Sequence, residues 1–573
     1  MPALLSRLPG KRAYALALGL AAAVSYLAMT TRHLDGVGLY YDEVNQAPAA
    51  FAYVGHQPTM FSALSIGALP LMNASYIGAL KSGIYGLYMR TSGRPFTVFS
   101  WRMTGILLVA CGLVAFSLAS ASRLSLPSLA LFFALLLTDV GILLTTRHDY
   151  GPAALCLLFR LLILSLWLHA WRDGSSGRAV AHPLHAAGLG CLLGVALFEK
   201  ATAVVLLPAL LVYMFLGPSR RLRSHWAALG LGLAVGAVPL ILSNSISFIR
   251  GGGLISFYPI AKPWRGLASS DEMFSFLRDY LSLGQGRYAA WWILDLPSGK
   301  ALADLEAVIL TGLLGLTLYD AFLRKDRGAP VDRLAGTMAV SYLATGAALL
   351  LLPYRTEFHH QLLGTPFQYI ALALCWSEGR SPVRTGLTAG ITVKRLLLLL
   401  LVLLRLPAVA RMQRAITDER AGVTWDRSFT ALARFAARQA DRAVFVAADW
   451  GFATQIYCMA QAKENLVFEP YREYSGPADL GPILKAAADK KEIYILSRKF
   501  RPPLNPSNTE RLTDDLLALK GWRRAKEVVD PQDSRAICVI KLVRRAEAAA
   551  APRAKAGTSR SRRGIRDERG SRR

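Results

Sequence analysis

Long apolar blocks alternate with short polar interruptions along most of the chain, and the blocks have the length of membrane spans. A bilayer core is crossed by roughly 20 apolar residues in a helix, somewhat fewer where neighbours help. Runs of that kind lie near 13–30, 103–122, 126–145, 152–171, 185–198, 201–217, 227–245, 301–323, 334–353, 362–377 and 393–410, the last built on the Leu-rich stretch 396–404. About eleven transmembrane helices are therefore predicted. Lys11 and Arg12 precede the first, which reads as a retained signal-anchor because so many apolar blocks follow it. After residue 410 the pattern changes. "RAVFVAADW" (442–450), "EIYILS" (492–497) and "AICVIKLV" (536–543) have strand length, with helical patterns at 427–440, 478–490 and 509–520. The expected architecture is a polytopic α-helical membrane unit over 1–410 and a small soluble α/β domain over 411–545. A tail over 546–573, rich in Arg, Ser and Gly and poor in apolar residues, is expected to be disordered.

Composition agrees: 53% of the 573 residues are hydrophobic. The net charge of +28 does not imply nucleic acid, because much of it lies in short loops and in the tail. With a cytoplasmic N-terminus, the inside loops carry Arg172 and Arg178, then Arg220, Arg221 and Arg223, then Arg324, Lys325, Arg327 and Arg333, then Arg380 and Arg384. Cytoplasmic loops are enriched in this way. The loops at 31–102, 146–151, 246–300 and 354–361 then face outward, although 246–300 is itself basic. With eleven spans the C-terminal domain also faces outward; a count wrong by one would put it inside. The expected setting is the plasma (inner) membrane, with the active site extracytoplasmic. Cys111, Cys156, Cys191 and Cys375 sit in apolar helices, while Cys458 and Cys538 either pair as a disulfide or remain separate buried thiols.

Charged side chains at the ends of membrane helices are costly unless paired or hydrated, so they mark candidate chemistry. Three clusters fall on the expected outer face. In "LYYDEVNQAPAAFAYVGHQPTMFSAL", Asp42 and Glu43 cannot point the same way, so one faces a reaction centre while the other fixes it or binds a metal. The stretch 47–72 reads as an amphipathic helix on the membrane surface, with His56 broken out by Gly55 and Pro58. The alternative for the acids is a solvated helix N-terminus. "TTRHDYGP" crowds Arg147, His148, Asp149 and Tyr150 into one turn; Arg147 and Asp149 can satisfy each other, and Asp149 can cap the next helix. Glu199 and Lys200 interrupt an apolar run; Lys200 suits a phosphate at head-group level, and the alternative is an internal pair that snorkels. "YRTEFHHQ" adds Arg355, Glu357, His359 and His360, although adjacent histidines are poorly spaced for a metal.

An Asp-Glu just after the first membrane helix, followed by "GHQP" (55–58) and by "GVALFEKATAVVLLPALL" ending in Leu-Pro, resembles the GT-C superfamily of membrane glycosyltransferases. Protein O-mannosyltransferases and the aminoarabinose transferases of lipid A belong to it. The resemblance implies inverting transfer of a sugar from a polyprenyl-phosphate carrier to a glycolipid, polysaccharide or protein acceptor. Asp42 would then be the general base and Glu43 its support. Lys200, Arg147 and Arg355 would hold the carrier phosphate, with His148 and His56 at the substrate. Asp149 or Glu199 would orient the sugar or, with Glu199 and His359 as weak ligands, bind a divalent metal ion. Gln57 stands where the family has Pro, and Glu199 where a Thr is usual before the Lys. Two rivals remain: a lipid-linked-sugar flippase or small-solute transporter, and a scaffold acting through its C-terminal domain. A transporter would place its polar residues at mid-membrane in broken helices, whereas here they cluster at one face.

Overall fold

The computed structural model describes residues 10–56, 64–170, 183–216, 225–257, 270–297, 299–323, 330–352, 356–376, 387–463, 465–470, 474–499, 506–519, 521–525 and 536–545. Arg355, the basic loops at 171–182, 217–224, 324–329 and 377–386, and the tail 546–573 lie outside the described residues. Each of the eleven apolar blocks is helical. Gly10–Thr30, Val98–Ser120 and Lys300–Leu323 are long and apolar enough to cross a membrane. Two further spans result if each bent pair counts as one: Leu126–Leu137 with Val140–Arg147, bent by 65°, and Trp226–Gly236 with Val238–Ile249, bent by 60°. Thr138 and Asp139 end the first of these half-helices and restart the second; the Asp139 carboxylate accepts the Ile142 N–H at 2.8 Å as an N-cap.

The segment after the first helix differs from expectation. No single surface helix covers 47–72. Ala47–Val54 is a 3₁₀ helix closed by Gly55 in the left-handed conformation (φ 95°). A small antiparallel sheet of β1 (Leu64–Ile66), β2 (Leu69–Ala74) and β3 (Ile77–Gly78) follows. Gly67, at φ 56°, opens the two-residue turn between β1 and β2, which is the chemistry such a hairpin needs. The apolar character of 64–72 serves a strand pair whose Leu64, Leu71 and Met72 pack on Phe198. The sheet's end also fixes a corner of the membrane unit, because the Tyr76 carbonyl accepts the Ala201 N–H at 3.0 Å.

The C-terminal region forms a five-stranded sheet in the order β5-β4-β6-β8-β7, from β4 (Ala443–Ala447), β5 (Val467–Phe468), β6 (Glu492–Arg498), β7 (Trp522–Arg524) and β8 (Ile537–Arg544). β4 runs parallel to β5 and β6, and β8 runs antiparallel to β6 and β7. β4 is buried along its whole length because both faces are covered. Ala443, Phe445 and Ala447 point into one core, and Val444 and Val446 into another with Ile483, Leu512 and Leu516. The boundary expected at 410 falls inside a helix, Leu387–Thr417, since good helix formers carry the Leu-rich run onward. Cys458 and Cys538 are both free thiols.

The first of those cores is shared. Leu39, Val44, Phe51, Tyr85, Phe96 and Trp101 from the first loop pack with Phe429, Phe445, Phe452 and Tyr494. Hydrogen bonds pin the contact: Gly38 N–H to the Trp425 carbonyl at 2.8 Å, and Phe96 N–H to Gln461 Oε1 at 2.8 Å. The α/β unit therefore sits on the same side as Asp42. A Cβ on Gly38 would lie 2.0 Å from the Asp426 carbonyl oxygen. Gly38→Ala is expected to loosen the docked unit, seen as faster limited proteolysis between the Leu387–Thr417 helix and β4 than in wild type.

Candidate active site

Asp42 and Glu43 occupy one turn of helix, Tyr41–Val44, and point apart as their adjacency requires. Glu43 faces inward and is fully buried. Arg102 grips it with both arms of its guanidinium, Nε to Oε1 at 2.5 Å and Nη2 to Oε2 at 2.8 Å. The same Arg102 donates to the carbonyls of Leu34, Val37 and Gly38. Trp101 Nε1 donates to the Glu43 carbonyl at 3.1 Å. Both carboxylate oxygens of Glu43 are thus taken up by Arg102 inside the fold.

Asp42 is half-buried. Burial pushes its carboxyl up to about 6, and the Glu357 carboxylate adds to that; the Tyr40 hydroxyl, Lys200 and Arg498 pull the other way. The groups that converge on it come from distant parts of the chain. Tyr150 donates its hydroxyl to Glu357 Oε2 at 3.0 Å and lies 5.7 Å from the Tyr40 ring. His359 packs edge-on against Tyr150 at 4.4 Å and reaches Glu357 at 3.6 Å. Burial holds the His359 and His360 imidazoles well below their ordinary range. Lys200 is held by the Gly151 carbonyl at 2.7 Å. Arg498, at the end of β6, lies over the Trp450 ring at 4.3 Å, and that ring in turn meets Tyr41 at 4.5 Å.

The remaining expected residues lie elsewhere. Arg147 and Asp149 do not pair with each other. Arg147 is buried and donates to the carbonyls of Thr30 (2.5 Å) and His33 (2.9 Å), which fastens the end of the first helix. Asp149 is buried, pairs with Lys81 at 2.5 Å and caps the next helix through Ala154 N–H at 2.7 Å. Lys81 also stands 3.6 Å over the Trp101 ring. His148 is fully buried against Trp425. Glu199 and Lys200 do not pair either: Glu199 is buried and accepts the Leu80 N–H at 3.1 Å. His56 is exposed and meets Phe51 at 6.3 Å. Among the described residues no three His, Cys, Asp or Glu side chains gather to hold a metal ion.

The structure therefore brings together Asp42, Lys200, Tyr150, Glu357 and His359 from the clusters read in the sequence and adds Tyr40 and Arg498. Below them it places a buried layer of Glu43, Arg102, Lys81, Asp149 and Glu199. Arg102 carried a usable signal, a cation at the start of an apolar helix. Arg498 carried none, because it reaches the site only through the docked sheet.

This chain superposes on the crystal structure of ArnT from Cupriavidus metallidurans in the apo state with a TM-score of 0.56 at 14% identity, over 91% of this chain and 96% of that one. It also superposes on ArnT from the same organism bound to undecaprenyl phosphate, with a TM-score of 0.50 at 12% identity and the same coverage. No protein-family profile matches the chain, and no curated protein does. The chain thus shares the fold of these ArnT structures, the fold that the motifs at the start of the chain led one to expect.

Removing Arg102 would strand a buried carboxylate, and breaking a buried pair in this way costs about 3–5 kcal/mol. Arg102→Ala is expected to lower the thermal midpoint of the detergent-solubilised protein sharply, while Arg102→Lys, which keeps the charge but not the fork, falls between.

Proposed function

We propose that this protein is an integral-membrane glycosyltransferase that moves a sugar from a polyprenyl-phosphate carrier to an acceptor nucleophile at the membrane surface. The observation that carries the reading is a half-buried carboxylate, Asp42, held by a rigid buried layer and faced by Lys200 and Arg498, within a fold shared with a protein seen bound to undecaprenyl phosphate. Asp42 takes the proton from the acceptor as its oxygen or nitrogen attacks the anomeric carbon. The bond from that carbon to the carrier phosphate breaks on the opposite side, and the configuration inverts. Lys200 and Arg498 stabilise the negative charge left on the phosphate, where fixed cations in a partly dry site act most strongly. Tyr40 keeps the Asp42 carboxylate oriented, and His359 with Tyr150 supplies a wall for the sugar. The acceptor, whether glycolipid, polysaccharide or protein, is selected beyond these residues, and the extracytoplasmic face of the plasma membrane is the setting that fits a lipid-carried donor.

General-base assistance is worth about 10²–10⁴-fold. Asp42→Asn is expected to lower kcat by that range with little change in donor KM, because the amide keeps the shape and loses the proton acceptor. A base works only when ionised, so wild-type kcat/KM should rise with pH through about 6 and then level off. The steady-state pH profile checks both, and an Asp42→Asn enzyme with wild-type turnover would rule out this role.

A further inference from the structure

A second cavity lies away from Asp42, and the mechanism above makes no use of it. It has a volume of about 280 Å³ and sits between the Arg287–Leu294 helix and the far end of Leu387–Thr417. That is near the lower limit of pockets that hold small molecules, roughly 300–1,000 Å³. Four arginines line it, Arg287, Arg411, Arg414 and Arg420, against a single carboxylate, Asp418. Among the described residues none of the four makes an ion pair. Its inner wall is apolar, with Val140, Ala408 and Leu296. Like charges so gathered repel one another unless an anion lies between them.

The cavity's level in the fold is fixed by its neighbours. Gln413, one residue before Arg414, donates its side-chain amide to the Met29 carbonyl at 3.0 Å, at the end of the first membrane helix. The cavity thus opens where that helix leaves the membrane, on the same side as Asp42. In the orientation proposed above this is the translocated side, where loops carry fewer Lys and Arg. Topology therefore does not account for four cations at one point. Guanidinium groups bind phosphate through paired N–H donors, and they do so better than ammonium groups.

We propose that this cavity binds a phosphate group, in the first instance that of an anionic lipid whose apolar part lies along the Val140–Ala408 wall. The bound lipid stands one helix from the reaction centre, because the helix that brings Arg287 to the cavity also brings Trp292 to within 6.4 Å of the Tyr40 ring. The proposal goes beyond the assigned reaction and does not need Asp42 to be its base.

The test measures lipid binding by thermal shift on the full chain in detergent, titrated with phosphatidylglycerol, phosphatidylcholine or inorganic phosphate. Phosphatidylglycerol should raise the wild-type midpoint and phosphatidylcholine should not. In Arg411→Gln/Arg414→Gln the apparent affinity should fall by about tenfold or more, while Arg411→Lys/Arg414→Lys retains part of it. The control Arg434→Gln/Arg438→Gln, two exposed arginines on the Arg427–Arg438 helix, should behave as wild type. Should the Gln pair fail to fold, Arg287→Gln replaces it with the same expected direction. A full shift with inorganic phosphate alone, lost in the same variants, keeps the phosphate site and assigns it to a soluble phosphate. Equal phosphatidylglycerol responses in wild type, the Gln pair and the control pair would overturn the proposal, as would no response to any anion.

Discussion

The arrangement around Asp42 depends on the bidentate clasp between Arg102 and Glu43. Taking two charges out of water costs several kcal/mol for each ion, and attraction repays this only when the geometry is good and the remaining donors are satisfied. Both conditions hold here. The two parallel contacts leave Arg102 further N–H groups, and these bind three consecutive-turn carbonyls at Leu34, Val37 and Gly38. A loop with little regular structure between the first helix and Tyr41 is thereby tied to the start of the second long membrane helix. Because Glu43 is drawn inward, its neighbour Asp42 must face the other way, so the clasp sets the direction of the Asp42 carboxylate.

A similar device works deeper in the membrane unit. Arg405 binds Glu306 through Nε at 2.7 Å and the Tyr369 hydroxyl through Nη1 at 2.8 Å, and that hydroxyl donates to Asp139 at 2.5 Å. Ionisable groups at such depth persist only when they satisfy one another. This network fixes the Leu387–Thr417 helix, the stalk that carries the α/β unit, against the Asp139 break in its neighbour. The stalk delivers the sheet to the first loop, where Phe445 and Ala447 complete a shared core. Docking then carries Trp450 and Arg498 to Asp42. The C-terminal unit accordingly helps to build the surroundings of Asp42, and the end of β6 brings a cation, Arg498, near that carboxylate.

Much of this was legible in the chain. Span-length apolar blocks located the long apolar helices, though not the shorter helices Leu80–Ser92, Ser270–Leu281 and Arg287–Leu294 between them, and short apolar runs located β4, β6 and β8, of which β4 and β6 are buried on both faces. Asp42 and Lys200 could be singled out because charge beside apolar helices is expensive. The small sheet at 64–78 could not be read this way: Gly67 and the short strand pair look like an interrupted apolar helix until their register is seen. Partner choice was equally hidden. Arg147 and Asp149 are near neighbours in sequence, yet their partners are backbone carbonyls at Thr30 and His33 and the ammonium of Lys81. Adjacent charges in a tight turn diverge, and tertiary packing decides what each one meets. Arg498 entered the site by the same route, through a domain contact that no local pattern encodes.

The central claim is that a lipid-carried sugar is transferred at Asp42 rather than moved across the membrane. Proteoliposomes holding the wild-type protein and a panel of radiolabelled polyprenyl-phosphate sugars test it most directly, with label followed both in the acceptor fraction and between leaflets. The account predicts label covalently joined to an acceptor, with free polyprenyl phosphate released in equal amount. Labelled donor that changes leaflet intact, with none joined to an acceptor, would contradict it.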